Sequence, residues 1–221
     1  PTGDKDPFAL RRHAIGIIRI VVERNLEIKM SELLGVTIRG FTDVTRDVLL
    51  SLEAFIFERF AGMLREQGYT AQELDAVWAL PGLYNFSLLD LSRRFAAVHD
   101  FSTLPEAPAL AAANKRVGNI LKKAEGGIST AFDINLLKDP AEQMLRSDLA
   151  IVMPKVRQRY DEGDYIASLR ELAVLKAPVD AFFDNVMVNV EDEKLRANRL
   201  ALLGELHEAM NQVADISRLA T

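Results

Sequence analysis

The chain has 221 residues, 49% hydrophobic and 27% charged, a composition that buries a core and excludes disorder as the bulk state. Cysteine is absent, which excludes a disulfide framework, a thiolate metal site and a cysteine nucleophile, and points to a reducing, cytoplasmic setting. The formal net charge of −5, taken whole, argues against a general DNA- or membrane-surface binder. Three histidines, His13, His99 and His207, are far apart, and none pairs with another at helical spacing to suggest a metal motif. No run of about 18 uncharged apolar residues is present, so no transmembrane helix is expected. The opening Pro1-Thr2-Gly3-Asp4-Lys5-Asp6-Pro7 has no initiator Met and no signal-peptide pattern, and reads as a piece of a longer polypeptide.

Helix signals dominate in chain order. Asp6-Pro7, an N-cap followed by Pro at the first helical position, predicts a helix to about Asn25 with apolar Phe8, Ile15, Ile18 and Val22. A looser stretch follows around Gly35 and Gly40. Thr42 is then expected to cap a long helix with the core stripe Val48, Leu49, Leu52, Phe55, Ile56 and Met63, ending at Gly68. Thr70 and Glu73 form a capping box for a short helix that Pro81-Gly82 terminates. Asn85 to Phe101 reads as another helix. Leu104-Pro105 opens one that continues to Lys123 and stops at Gly126-Gly127.

Asp139-Pro140 repeats the opening signature and starts a helix through Tyr160, with Pro154 as an expected kink or break. The tail divides into a helix over Tyr165 to Leu175, a short one after Pro178 with Phe182 and Phe183, and a long one from Asp192 to Val213. Strand signals are confined to Gly35-Val36-Thr37-Ile38 and Val186-Met187-Val188, each beside a helix boundary. The pattern predicts an all-α protein, a bundle of about eight to ten helices without a fixed-period repeat. A boundary at Pro81-Gly82 separates a connecting region, 1–82, from a second domain, 83–221.

No phosphate-cradling glycine loop, dinucleotide fingerprint, nucleophile elbow or zincin motif is present. Glu191-Asp192-Glu193 lies just ahead of a helical run, where carboxylates cap the helix and complement its dipole. Asp161-Glu162-Gly163-Asp164 lacks the remaining positions of a calcium loop and reads as a turn.

Charge distribution is more informative. Between Arg93 and Lys123, six bases (Arg93, Arg94, Lys115, Arg116, Lys122, Lys123) face two carboxylates, a local +4 that leaves −9 for the rest of the chain. On a helix Lys115, Asn119 and Lys122 share a face, with Arg116 and Lys123 in the adjacent row. Such a row can track phosphates while Asn114 and Asn119 read base edges. A solvated helix face with cations favoured at its C-terminus explains the same residues without a ligand. Tyr84, Phe86 and Phe101 flank the Arg93-Arg94 helix, either as stacking platforms or as core.

Three separated blocks resemble one family. Pro1 to Arg12 is similar to the segment that leaves the HD-type domain of bacterial glycyl-tRNA synthetase beta subunits. Leu110-Ala111-Ala112-Ala113-Asn114-Lys115-Arg116-Val117-Gly118-Asn119-Ile120-Leu121-Lys122-Lys123 resembles their anticodon-binding region. Phe182-Phe183-Asp184-Asn185-Val186-Met187-Val188, then Leu195-Arg196-Ala197-Asn198-Arg199-Leu200-Ala201-Leu202-Leu203 and Val213-Ala214-Asp215-Ile216-Ser217, resemble the end of the DALR-type helical domain. The resemblance implies a DALR-like anticodon-binding domain over 83–221, following the HD-type domain of a longer parent chain.

It further implies a C-terminal, non-catalytic portion of a cytoplasmic glycine–tRNA ligase that binds tRNA(Gly), neither DNA nor membrane, in an α2β2 assembly. No cofactor is expected here; ATP and Mg belong to the alpha-subunit site. The expected tRNA contacts are Asn114, Lys115, Arg116, Asn119, Lys122 and Lys123 on one surface, with Arg93 and Arg94 as a second. Arg196, Asn198 and Arg199 are read as packing and capping residues. The alternative is a helical scaffold that docks on other domains or subunits through the stripe of Phe8, Ile15, Ile18 and Val22 and the helix of Phe55 and Ile56.

Overall fold

The computed structural model describes residues 6, 8–39, 41, 44–124 and 132–220. Among these the protein is helical, with one isolated bridge, Lys29 to Ser87, and no strand. The helices are α1 (Leu10–Glu23), α2 (Met30–Ile38), α3 (Arg46–Glu66), α4 (Ala71–Trp78), α5 (Leu88–Ser102), α6 (Ala107–Lys123), α7 (Pro140–Asp161), α8 (Tyr165–Glu171), α9 (Lys176–Asn185) and α10 (Glu193–Asn211). Four short 3₁₀ turns join or follow them, the last at Ile216–Leu219.

Local chemistry sets most boundaries. The Asp6 carboxylate accepts from the amides of Leu10 and Arg11 at 2.8 and 3.1 Å, so α1 starts at Leu10, later than the Asp-Pro signature suggests. Its expected partner Pro7 lies outside the described residues, as do the Thr42 cap, Gly40 and the Gly126-Gly127 stop. Thr45 stands at the N-cap of α3, and Gly68 takes the left-handed conformation that ends it, at φ +97°. The Thr70–Glu73 capping box forms with both hydrogen bonds in place. A second box, Asp139–Glu142, opens α7, which runs on through Pro154 as one helix.

Two local expectations are corrected. The Gly35-Val36-Thr37-Ile38 stretch is neither loose nor extended but the second half of α2: Met30 and Leu34 are buried, and the Thr37 hydroxyl donates to the Leu33 carbonyl. Tertiary burial outweighs the β-branched propensity. The stripe expected along α3 is core only in its C-terminal half, where Ile56, Phe60, Ala61 and Leu64 are buried; Val48 is 52% exposed and Leu52 36%. Of the apolar row along α1, Ile18 is buried together with Ala14 and Val21, whereas Phe8, ahead of the helix, is exposed.

The interior is one continuous cluster, from Ile18 in α1 to Ile216 in the last 3₁₀ turn. It crosses Pro81-Gly82: α4 packs on α5 and on the final turn, where the Asp215 amide donates to the Ala76 carbonyl at 2.9 Å. At its centre Trp78, Phe57, Phe60 and Phe95 meet tilted or edge to face, with centroids 4.9–6.4 Å apart. Helix α6 lies on α10, α9 and the last turn, leaving one long face outward.

Candidate nucleic-acid interface

The outward face of α6 carries Lys115, Arg116, Asn119, Lys122 and Lys123, all exposed. Among the described residues the side chains of Lys115, Asn119, Lys122 and Lys123 form no hydrogen bond or ion pair, and the Arg116 guanidinium stacks on the Phe183 ring of α9, 4.1 Å from its centroid. Several nearby arginines are paired: on α7 Arg146 meets Glu205, Arg157 meets Glu208 and Arg159 meets Glu162, and Arg170 meets Asp100. Lys122 and Lys123 sit in the last turn of α6, where cations complement the helix dipole.

Two open clefts flank this ridge, and Lys115 and Asn119 border both. The first, about 830 Å³, lies between α6 and residues 189–200; Arg116, Lys123 and Arg196 add charge over a floor of Ala112, Ile120 and Leu200. Arg196 donates to the Val190 carbonyl at 3.2 Å, with Glu193 4.0 Å away, and among the described residues Glu191 is the one carboxylate in the lining. The second, about 680 Å³, is walled by α4, α10 and the last turn, and brings Asp75, Lys122, His207, Asp215 and Arg218 around α6. Asp215 is engaged by Ser217 and Arg218, whereas Asp75 is exposed and unpaired. Gly118 allows α10 close to α6: a Cβ there would lie 3.4 Å from His207 Nε2. Burial pushes His207 below its ordinary range, and Lys122 adds to this against Asp215, so at neutral pH the ring is uncharged.

Two expected contacts are corrected. Arg94 is 2% exposed, and its guanidinium binds Asp90 at 2.7 Å, the carbonyls of Gln212 and Val213 at 3.2 and 2.7 Å, and the hydroxyls of Tyr160 and Tyr165. It also stacks on Phe86 and Tyr165, and every donor direction is turned inward. Asn114 is fully buried and exchanges reciprocal 2.9 Å amide hydrogen bonds with Asn211, joining α6 to α10. Neither presents a surface. Arg93 is exposed but pairs with Glu27 at 3.0 Å, facing the α1–α2 connection and lining neither cleft.

The closing block divides by position. Asn198 bonds the Asp133 backbone on both sides, and Arg199 is buried against Glu142 and the Met187 carbonyl. Arg196, three residues earlier, lines the first cleft, and helical spacing carries no sign of the difference. The second cleft's Asp75, His207 and Arg218 are distant in sequence, so only the fold assembles them with α6. Asp192 caps α10 by accepting from the Lys194 and Leu195 amides, and the Asp161–Asp164 segment is a turn whose Asp164 caps α8.

The class of this helical assembly follows from its sequence. Residues 110–216, from α6 to the last turn, match the family model of the DALR anticodon binding domain. Residues 1–79 match the model described as glycyl-tRNA synthetase beta subunit. The glycine–tRNA ligase beta subunits of Leptothrix cholodnii, Delftia acidovorans and Janthinobacterium sp. are 56%, 55% and 56% identical over 220 residues and cover 100% of this chain. The chain spans only 30–31% of the length of these relatives. It belongs to the glycyl-tRNA synthetase beta-subunit family and corresponds to a C-terminal portion of such a subunit. Among the described residues no helix is long and apolar enough to cross a membrane.

Proposed function

We propose that this chain is the tRNA-gripping part of a glycine–tRNA ligase, holding the anticodon arm of tRNA(Gly) while ATP-dependent glycylation proceeds at a distant alpha-subunit site in an α2β2 cytoplasmic enzyme. ATP and Mg belong, in this reading, to that alpha-subunit site. The domain reading over 83–221, with 1–82 as a connecting region, is part of the same proposal. One observation carries it: among the described residues the α6 bases have no carboxylate partners, while the neighbouring bundle pairs its arginines. Unpaired cations on one exposed helix face are free to neutralise phosphates and release their counterions.

The test is tRNA(Gly) affinity of the whole ligase across a salt series. Lys115→Ala with Arg116→Ala is expected to weaken binding and to flatten the slope of log K against log salt by about 1.4–1.8, for two lost phosphate contacts. The helical circular dichroism should stay unchanged. An unchanged slope removes α6 from the interface.

A second reading is favoured by a separate feature, an apolar groove of about 390 Å³ between α1, α2 and α3, lined by Leu10, Ile17, Leu33, Val48, Leu52 and Phe55 among others. The groove suits docking of the far longer remainder of the same subunit, with tRNA held elsewhere. Light scattering separates the two: a fragment that self-associates through this groove supports docking, and a strictly monomeric one argues against it.

A further inference from the structure

The two clefts beside α6 differ in what they offer. Among the described residues four bases, Lys115, Arg116, Lys123 and Arg196, surround the first against one carboxylate, Glu191. The second has three bases, Lys115, Lys122 and Arg218, against Asp75 and Asp215, together with the amide of Asn119 and the ring of His207. Arg218 and Asp215 occupy each other, so the side chains left without a partner among the described residues are Asp75, Lys122, His207 and the shared Lys115 and Asn119.

Phosphates need cations and little else, whereas a base edge needs donors and acceptors at fixed places. The first cleft has the former chemistry. The second has the latter: a carboxylate that only accepts, an ammonium that only donates, and an uncharged imidazole that does one of each. The clefts are separated by no more than one helix, about 10 Å across, so one nucleotide strand can engage both.

We propose that a single RNA strand crosses α6 with its phosphates in the first cleft and one splayed base in the second, where Asp75 accepts from that base's exocyclic amino group. His207 and Lys122 face the remaining acceptors of the base edge. Asp75 is thus a specificity-determining residue, and the site rejects uracil, which has carbonyl oxygens where the other bases have an amino group. The inference rests on the tRNA-binding reading above and adds a division of labour to it.

The experiment uses the complete ligase and transcripts of tRNA(Gly), native and with each anticodon-loop nucleotide changed singly to uridine. Two variants are compared, Lys123→Ala with Arg196→Ala, and Asp75→Asn, which removes the charge and replaces one of the two acceptor oxygens with a donor. The cleft-one variant should weaken all transcripts alike and flatten the salt slope by about 1.4–1.8. Asp75→Asn should leave the slope intact and reduce discrimination at one loop position about tenfold, within the range of a base-edge contact. If Asp75→Asn preserves every discrimination ratio, or alters the salt slope instead, the base-reading role is overturned while tRNA binding by α6 stands. If neither the cleft-one variant nor the Lys115 and Arg116 changes alter the slope, the tRNA-binding reading falls first, and this inference with it.

Discussion

Arg94 on α5 and Val48 on α3 stand in each other's expected places: the arginine is 2% exposed and the valine 52%. Around Arg94 the carboxylate of Asp90, two carbonyls at the end of α10 and two tyrosine hydroxyls satisfy the whole guanidinium. Around Val48 the apolar side chains of Leu52, Phe55, Ile17 and Leu10 border an open groove. The C-terminal bundle has enough surrounding structure to bury charge with full pairing, whereas the first three helices leave apolar surface open. Burial of a charge is tolerable only with such partners, because an unpaired one costs several kcal/mol.

The largest effect is expected where that network is broken. Arg94→Ala takes from Asp90 its charged partner, leaving it only the Tyr165 hydroxyl, and from the carbonyls of Gln212 and Val213 their donor, and should destabilise the chain by about 3–5 kcal/mol, read as the shift of the urea midpoint. Arg94→Lys should rescue only part of this, since an ammonium cannot reproduce the planar fork over Phe86 and Tyr165. Loss below about 1 kcal/mol, the range of a surface pair, would show that the network contributes little and erase the contrast with α3.

Glu73 should come next. Its carboxylate closes the capping box of α4 on the Thr70 amide and reaches across to α5, accepting from Ser102 at 2.6 Å with His99 Nδ1 at 3.1 Å. Burial works against the ionised form, but the hydrogen bonds from Ser102, Thr70 and His99 outweigh it and hold the carboxyl below the usual range. Glu73→Ala should cost about 1–2 kcal/mol at neutral pH. A lowered pKa places the stabilisation above the ordinary carboxylate value, to be lost as acid titrates through the lowered one. The gap between wild type and Glu73→Ala should therefore close progressively below pH 4.5; a constant gap would mean that packing, not charge, is lost.

Legibility in the sequence follows the range of the interactions. The capping boxes of α4 and α7 join residues three apart, and their helices begin as the sequence predicts. The exposed face of α6 follows from helical spacing alone, so Lys115, Arg116, Asn119, Lys122 and Lys123 emerge together. Arg94 and Asn114 share the same basic stretch, but their hydrogen-bond partners lie more than sixty positions away apart from Asp90, and no local pattern distinguishes them from surface residues. Asp75, Arg196 and His207 are illegible for the same reason: each meets the α6 clefts only because α10 packs on that helix and α4 on the last turn, which itself packs on α6. In α3 the apolar period is real, but the sequence does not show that the N-terminal half of that stripe faces an open groove.

The smallest effect is expected at Val48. A polar residue on an apolar stripe normally costs the transfer energy of the buried surface, about 25 cal/mol per Å², so the cost scales with what the fold covers. With half of Val48 already in water and the groove open beside it, Val48→Gln should change the unfolding free energy by under about 0.5 kcal/mol. Glutamine is also a good helix former, which offsets the lost contact with Leu52 in α3. The same substitution in the full-length subunit gives the informative comparison. If the rest of that subunit covers the groove, Val48→Gln should there cost about 1–2 kcal/mol, because an amide would be carried into an apolar contact without a partner. Equal small costs in both contexts would mean that the groove stays open in the subunit, and that the two ends of this chain differ in how they fold and not in what they meet.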